Sequence, residues 1–176
     1  MYKRGSKWIW VSLIIVVILL IVVGVVYYFL ANREGSAGTS VILLQNPAAG
    51  LAFEQAVASF NESFVLYLLY NIGANKLHNF LFSDDEPKIE IFVENVVYNA
   101  IVEKGNIKVG KGEIEEEDIK IKTSREEAVR MMNDKSYIEK SFQNGNSQIE
   151  LVAGKTKLFL KGYLGLYEDL TGKSAE

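Results

Sequence analysis

The sequence predicts an α+β fold class: a single N-terminal transmembrane helix followed by a five-stranded, mostly antiparallel sheet covered by helices. Three observations predict it. An uncharged apolar run of 24 residues lies near the N-terminus. After Pro87 the hydrophobic period changes from about 3.6 residues to 2, which indicates a change from helix to strand. From Ser124 the helical period returns, so the strands lie in one group between helices.

The composition excludes several classes of site. The 176 residues include no cysteine and one histidine, His78. A disulfide framework, a thiol nucleophile and a cysteine-built zinc site are therefore excluded, as is a multi-histidine metal centre. We predict no catalytic residue, no metal site and no cofactor, so the protein is expected not to be an enzyme.

Residues 8–31 form the predicted transmembrane helix. A helix of about 20 apolar residues crosses the hydrocarbon core of a bilayer, so this run is long enough. Tryptophans begin the run and Tyr27 and Tyr28 lie near its end, and such rings favour the two membrane interfaces. A cleaved secretory signal and an archaeal pilin-type signal are the alternatives that the pattern leaves open.

The charges beside this run predict its orientation. Residues 1–7 carry Lys3, Arg4 and Lys7, whereas Arg33 and Glu34 cancel on the other side. The positive-inside rule then makes residues 1–7 a basic cytoplasmic N-terminus. We expect a single-pass protein of the cell membrane whose C-terminal domain is extracytoplasmic.

The charge of the remaining chain bears on its partners. Without those three cations it has 16 basic and 22 acidic residues. A surface of that sign repels phosphate backbones, so nucleic acid is not an expected partner. The membrane is the expected partner.

Residues 32–46 are predicted to be a linker, residues 47–172 the α+β domain and residues 173–176 a C-terminal tail. Asn46-Pro47 is typical of a helix start. Apolar residues then recur at helical spacing, which predicts one long helix over Pro47–Leu69 with its stripe continuing to Ile72. The stripe consists of Phe53, Val57, Phe60, Phe64, Leu68 and Ile72.

Alternating apolar residues after Pro87 predict four strands joined by short connections, arranged as an antiparallel meander. The capping pairs Ser124 with Glu127 and Ser136 with Glu139 then predict two helix starts. Gln148–Val152 is the predicted fifth strand. Leu158–Leu170 is the last predicted element, one amphipathic helix.

The order of these elements and the placement of the turns resemble the sterol carrier protein type 2 family. The resemblance implies an apolar tunnel between sheet and helices that binds lipids or fatty-acyl chains, and it brings no catalytic residue. The matching pieces are Ile89–Val93, Val97–Lys104, Gly105–Gly112, Glu117–Thr123, Ser124–Met132, Asn144–Gly145 and Ile149–Gly154.

We therefore predict a membrane-anchored, non-catalytic domain that binds a lipid or another apolar ligand. The alternative is a structural or interaction module of a membrane complex or pilus-like surface assembly, with a filled core and no ligand. A lipid or fatty-acyl ligand and a membrane-protein partner are thus the candidate partners. The candidate apolar-ligand contacts are Phe60, Phe64, Leu68, Met131, Met132, Phe142, Phe159 and Tyr163.

Two weaker signals have ordinary interpretations. The acidic stretch from Glu113 to Asp118 lacks the spacing of a calcium-binding loop and is interpreted as a solvated connection between strands. Asn61-Glu62-Ser63 matches the N-glycosylation acceptor but lies within the predicted helix.

Overall fold

The structure is a computed structural model, and it describes residues 17–21, 23–24, 44–80 and 83–175. The chain divides into two compact units, Met1–Leu43 and Leu44–Glu176. In the first unit, residues 17–21 and 23–24 are helical and exposed.

The predicted fold class was wrong in its transmembrane part. Among the residues that the structure describes, no helix combines the length and the apolar character needed to cross a membrane. Within the predicted helix at 8–31, residues 17–21 and 23–24 are described. The other residues of that helix lie outside the described residues, as do segment 1–7 and most of the predicted linker. The single-pass anchor is therefore unsupported.

The second unit is an α+β domain with a five-stranded mixed sheet. Its helices are α1 (Phe53–Ala58), α2 (Glu62–Asn71), α3 (Arg125–Asn133), α4 (Tyr137–Gln143), α5 (Lys155–Lys161) and α6 (Tyr163–Thr171), with a short 3₁₀ turn at Ala74–Lys76. Its strands are β1 (Lys88–Val93), β2 (Val96–Glu103), β3 (Asn106–Lys111), β4 (Ile119–Thr123) and β5 (Gln148–Leu151).

The strands lie in the order β3-β2-β1-β4-β5. The predicted four-strand meander was wrong at its last step, because β4 pairs in parallel with β1 and not with β3. The other three pairs are antiparallel. Burial explains the order: β4 is largely buried and takes a central place, whereas β3 exposes Lys108 and Lys111 as an edge strand does.

One face of the sheet forms the core with the helices. On β1 and β4 that face carries Ile89, Ile91, Ile119 and Ile121, each no more than 1% exposed. Strand residues alternate between faces, so Lys122, which follows Ile121, points the other way and is exposed. The apolar stripes of the helices complete the core.

The predicted long helix over Pro47–Leu69 is two helices, α1 and α2, preceded by a turn at residues 47–50. The break has a local cause. The Asn61 side-chain oxygen accepts a hydrogen bond from the Ser63 amide at 2.9 Å, which begins a new helix at Glu62. Phe60 and Phe64 still share the core, with ring centroids 5.2 Å apart, so the apolar stripe continues across the break.

The predicted helix over Leu158–Leu170 is also two helices, α5 and α6. Gly162 separates them with φ +87°, a left-handed conformation that glycine adopts without strain. Of the two predicted capping pairs, Ser124 caps α3 by accepting from the Glu127 amide at 3.1 Å. The pair at Ser136 was wrong, because that hydroxyl donates to the Asp134 carboxylate at 2.7 Å.

Candidate functional site

Most of the predicted ligand contacts lie in the packed core. Phe60, Phe64, Leu68, Met131, Met132, Phe142 and Tyr163 are all buried there. Phe159 is separated from them, since it lies on the outer side of α5 and is 68% exposed. The buried residues fill the space between sheet and helices. That they contact a ligand stays a prediction.

An open groove runs between the edge strand β5 and helix α6. It consists of two cavities of about 240 and 640 Å³, which share Ile149, Tyr167 and Lys173 as lining residues. Ligand pockets in proteins usually measure ~300–1,000 Å³. The larger cavity lies within this range, and the smaller cavity lies below it. We use the name β5–α6 groove for both cavities together.

One strip of the β5–α6 groove is apolar because of where β5 lies. Ile149 and Leu151 are on the helix-facing side of this edge strand, and both remain half-buried. Tyr167 on α6 is half-buried opposite them. No strand of the described sheet lies beyond β5. The groove is open to solvent, and its apolar strip lies beside polar side chains such as Gln148 and Lys173.

The turn that follows α6 forms part of the lining of the groove. Gly172 ends the helix with φ +67°, and the Thr171 hydroxyl accepts a hydrogen bond from the Lys173 amide at 3.2 Å. The same hydroxyl donates to the Tyr167 carbonyl at 2.8 Å. This turn places Lys173 at the groove, with its residue exposed.

The smaller cavity of the groove meets a chain of hydroxyl groups. Ser147 lines the smaller cavity and is 1% exposed. Its Oγ lies 2.8 Å from Thr123 Oγ1 and 2.9 Å from Ser141 Oγ. The Ser141 hydroxyl donates to Glu127 Oε2 at 2.8 Å, and the Tyr137 hydroxyl donates to the same oxygen at 3.1 Å. A continuous hydrogen-bonded chain thus connects the groove to a carboxylate.

A separate ionic cluster lies at the start of β4. Asp118, Lys161 and Tyr163 are each at most 1% exposed. Asp118 Oδ2 accepts from Lys161 Nζ at 3.0 Å, from the Tyr163 hydroxyl at 3.1 Å and from the Lys88 amide at 2.9 Å. Gly162 lies between Lys161 and Tyr163, and its positive φ turns the backbone there. Because of this turn, both neighbouring side chains reach the Asp118 carboxylate. The cluster holds α5 and α6 against β1 and β4.

Two further charges extend this cluster towards solvent. Lys157 Nζ lies 2.8 Å from Asp118 Oδ1 and 3.1 Å from Asp85 Oδ2, and Lys161 Nζ lies 3.0 Å from Asp85 Oδ1. Burial lowers the pKa of Lys157, but the contacts with Asp118 and Asp85 outweigh it and hold that pKa above its usual value. Burial raises the pKa of Asp85, and its bonds to Lys161 and Lys157 reverse this, so that the pKa is lowered.

Tyr163 makes the stability of the folded state depend on pH in the alkaline range. Burial, and then the charge of Asp118, raise the pKa of its hydroxyl well above the usual 10.0. The folded state therefore holds this proton more tightly than the unfolded state does. Its contribution to stability is complete below pH 10 and is lost as pH rises, at roughly 1.4 kcal/mol per pH unit.

Replacing Tyr163 with phenylalanine should flatten this dependence. Near neutral pH the variant should lose about 1–3 kcal/mol, because Asp118 loses a buried donor. Above pH 10 its stability should fall less steeply with pH than that of the unaltered protein. Urea unfolding measured between pH 8 and 11 gives both slopes, and equal slopes would contradict the prediction.

Neither polar cluster was predicted from the sequence. Asp118 was expected to lie in a solvated acidic connection, but only its neighbours such as Glu113, Glu115 and Glu116 are exposed. One feature of the sequence indicated that Asp118 is buried: it directly precedes Ile119, the first apolar residue of a predicted strand. His78 is exposed, and its Nδ1 lies 3.3 Å from the Lys76 carbonyl. The Asn61 side chain serves as the cap of α2.

Comparison with known proteins gives likenesses to solved structures only. No family model matches this chain, and no curated protein matches it. Among solved structures, the chain is similar to the apo form of sterol carrier protein 2 from Yarrowia lipolytica. The likeness has 12% sequence identity and a TM-score of 0.30, and it covers 69% of this chain and 88% of the other.

Proposed function

We propose that this protein is a non-catalytic binding domain for a lipid or another apolar ligand, and that the ligand's chain lies in the β5–α6 groove. The observation that carries the proposal is the groove itself. Ile149, Leu151 and Tyr167 form an apolar strip along it, beside polar side chains such as Gln148 and Lys173. A concave apolar surface with a few placed polar groups is typical of small-molecule sites.

This proposal places the ligand somewhere other than the interior tunnel that the family resemblance implies. The space between sheet and helices contains side chains such as Met131 and Tyr163, which are fully buried. An interior ligand would have to displace them. The groove needs no such displacement, because it is already open beside β5.

The length of β5 suggests the size of ligand to test. Its four residues extend over ~13 Å, which suits a single chain of about ten carbons. We expect decan-1-ol or decanoate, added to the full chain, to raise its melting temperature. Ligand that binds only the folded state adds about 2.7 kcal/mol of stability at a hundredfold excess over the Kd.

Tyr167→Ala should weaken this binding, because it removes part of the apolar strip of the groove. Phe80→Ala is the matched control: Phe80 is also aromatic, is 45% exposed and is not among the groove's lining residues. Both variants are compared with the unaltered chain by native mass spectrometry and thermal unfolding. If neither ligand changes the melting temperature, the binding proposal fails and the structural or interaction module becomes the better interpretation.

A further inference from the structure

We propose that a small cavity on a different face of α6 from the β5–α6 groove is a second binding site, and that it takes a small zwitterion of the α-amino-acid class. The cavity measures about 150 Å³ and lies between the turn that follows α2 and helix α6. It shares no lining residue with the groove, so this second site goes beyond the proposed function and does not depend on it.

The inner part of the cavity is apolar. Ile72, Leu77 and Leu166 line it, and each is at most 6% exposed. Gly165, the residue before Leu166, has no side chain to fill the space, and no atom of another segment lies within 4 Å of where its Cβ would stand. An apolar cavity of ~150 Å³ holds a molecule the size of benzene, so the apolar part of the ligand has about four to six carbon atoms.

Two opposite charges lie at the cavity without meeting each other. Lys76 belongs to the 3₁₀ turn and Asp169 lies on α6, about one turn after Gly165, and both residues are exposed. The Lys76 ammonium is 3.7 Å from the Cβ position of Gly73, another lining residue, which places this charge at the cavity. Within the described part of the chain neither Lys76 nor Asp169 forms an ion pair, so their charged atoms are more than 4.0 Å apart.

An apolar cavity between two separated opposite charges matches a zwitterion with a short apolar side chain. The carboxylate of an α-amino acid can accept from the Lys76 ammonium while its ammonium group donates to the Asp169 carboxylate, and both contacts are charge-assisted hydrogen bonds. The side chain of the amino acid then lies against the apolar lining. Free leucine meets these requirements, because it carries both charges and a four-carbon side chain. A ligand with a single charge can pair with only one of the two residues.

The test titrates the isotope-labelled full chain with three compounds of related carbon skeleton and follows the amide signals by NMR. Free leucine carries both charges, 4-methylpentanoate lacks the ammonium group, and 3-methylbutan-1-amine lacks the carboxylate. We expect leucine to bind about fivefold more tightly than either analogue, the upper end of what one exposed ion pair contributes. The shifted amides should include Gly165 and Leu166 and exclude Ile149, which lines the groove.

Two charge variants identify which residue binds which group. Lys76→Met keeps the carbon stem and removes the ammonium, so leucine should then bind no better than 3-methylbutan-1-amine but still better than 4-methylpentanoate. Asp169→Asn should give the converse result. Glu168→Gln is the matched control, because Glu168 is exposed and adjacent to Asp169 but does not line the cavity. It should leave all three affinities unchanged.

Gly165→Met tests the cavity itself. Methionine is a good helix former and the position has room for a side chain, so the melting temperature should not fall. The new side chain occupies the space beside Leu166, and binding of free leucine should be lost. Gly154→Met is the matched control, because a Cβ at Gly154 also meets no atom within 4 Å and this residue lies outside the cavity. Binding should persist there.

The outcomes separate this site from the groove. Tighter binding of leucine than of both analogues, lost in Gly165→Met and kept in Gly154→Met, supports the second site. Equal binding of all three compounds, no binding at all, or leucine binding that survives in Gly165→Met overturns it. None of these results bears on the proposed function, which decan-1-ol and decanoate test. Should Gly165→Met not fold, the variants at the exposed residues Lys76 and Asp169 decide.

Discussion

Replacing Asp118 with asparagine should lower the free energy of unfolding by about 3–5 kcal/mol. The asparagine keeps the shape of the side chain but removes its charge. Lys161 would then keep a buried ammonium, 1% exposed, whose remaining carboxylate partner Asp85 is 40% exposed. Breaking a buried ion pair from one side costs this much because the other charge stays uncompensated in a medium of low dielectric constant. Urea unfolding at neutral pH measures the change.

Glu113→Gln is the control for this prediction, because Glu113 lies in the same connection and is exposed. Its effect should stay within about 0.5 kcal/mol. Adding Lys161→Met to the Asp118→Asn variant should recover part of the loss, since the stranded charge is gone. A loss below 1 kcal/mol for Asp118→Asn alone would mean that the cluster does not hold α5 and α6 in place.

Met131→Ala should lower the free energy of unfolding by about 2–5 kcal/mol. Met131 lies on α3 and is fully buried in the core between helices and sheet. Truncation removes apolar contacts and leaves a cavity, and both effects destabilise the folded state. Urea unfolding of the full chain is again the measurement.

Phe159→Ala gives the contrast, because its ring is 68% exposed. We expect a change within about 0.5 kcal/mol. The pair separates packed residues from exposed ones among the eight that the sequence marked as ligand contacts. If Met131→Ala costs less than 1 kcal/mol, Met131 does not pack as core, and a ligand space beside it would explain the result.

The strands could be predicted because their signal is local. Alternation on β1 and β4 places Ile89, Ile91, Ile119 and Ile121 on one face, whichever neighbours the strands choose. The choice of neighbour is not local. It depends on contacts between distant parts of the chain, because β4 pairs with β1 and not with β3, the strand before it in sequence. Alternation within a strand is the same in either arrangement.

The helix breaks were missed for a related reason. Phe60 and Phe64 lie on either side of one break, and Leu158 and Leu166 on either side of the other, yet all pack on the same core. An apolar stripe thus continues although the backbone turns. Gly162 was a visible sign of the second break, since a glycine can take the positive φ that ends a helix.

The candidate site was the hardest part to predict. Large apolar residues such as Met131 suit a ligand cavity and a packed core equally well, so composition cannot separate the two. The groove depends instead on β5 being an edge strand. The hydroxyl chain brings together Thr123, Ser141 and Ser147 from three separate segments, and no spacing along the sequence connects them.

The parallel pairing of β1 with β4 has a consequence for the order of folding. Strands β1, β2 and β3 are joined by tight turns and can pair as soon as they have been synthesised. The edge of β1 that pairs with β4 stays unpaired until β4, which follows β3 along the chain, has been synthesised. β1 is mostly buried in the folded domain, but during that interval it is an exposed sheet edge. Unpaired edges of this kind are surfaces at which nascent chains associate. We expect chaperone dependence to be greatest for chains that end between Lys111 and Thr123.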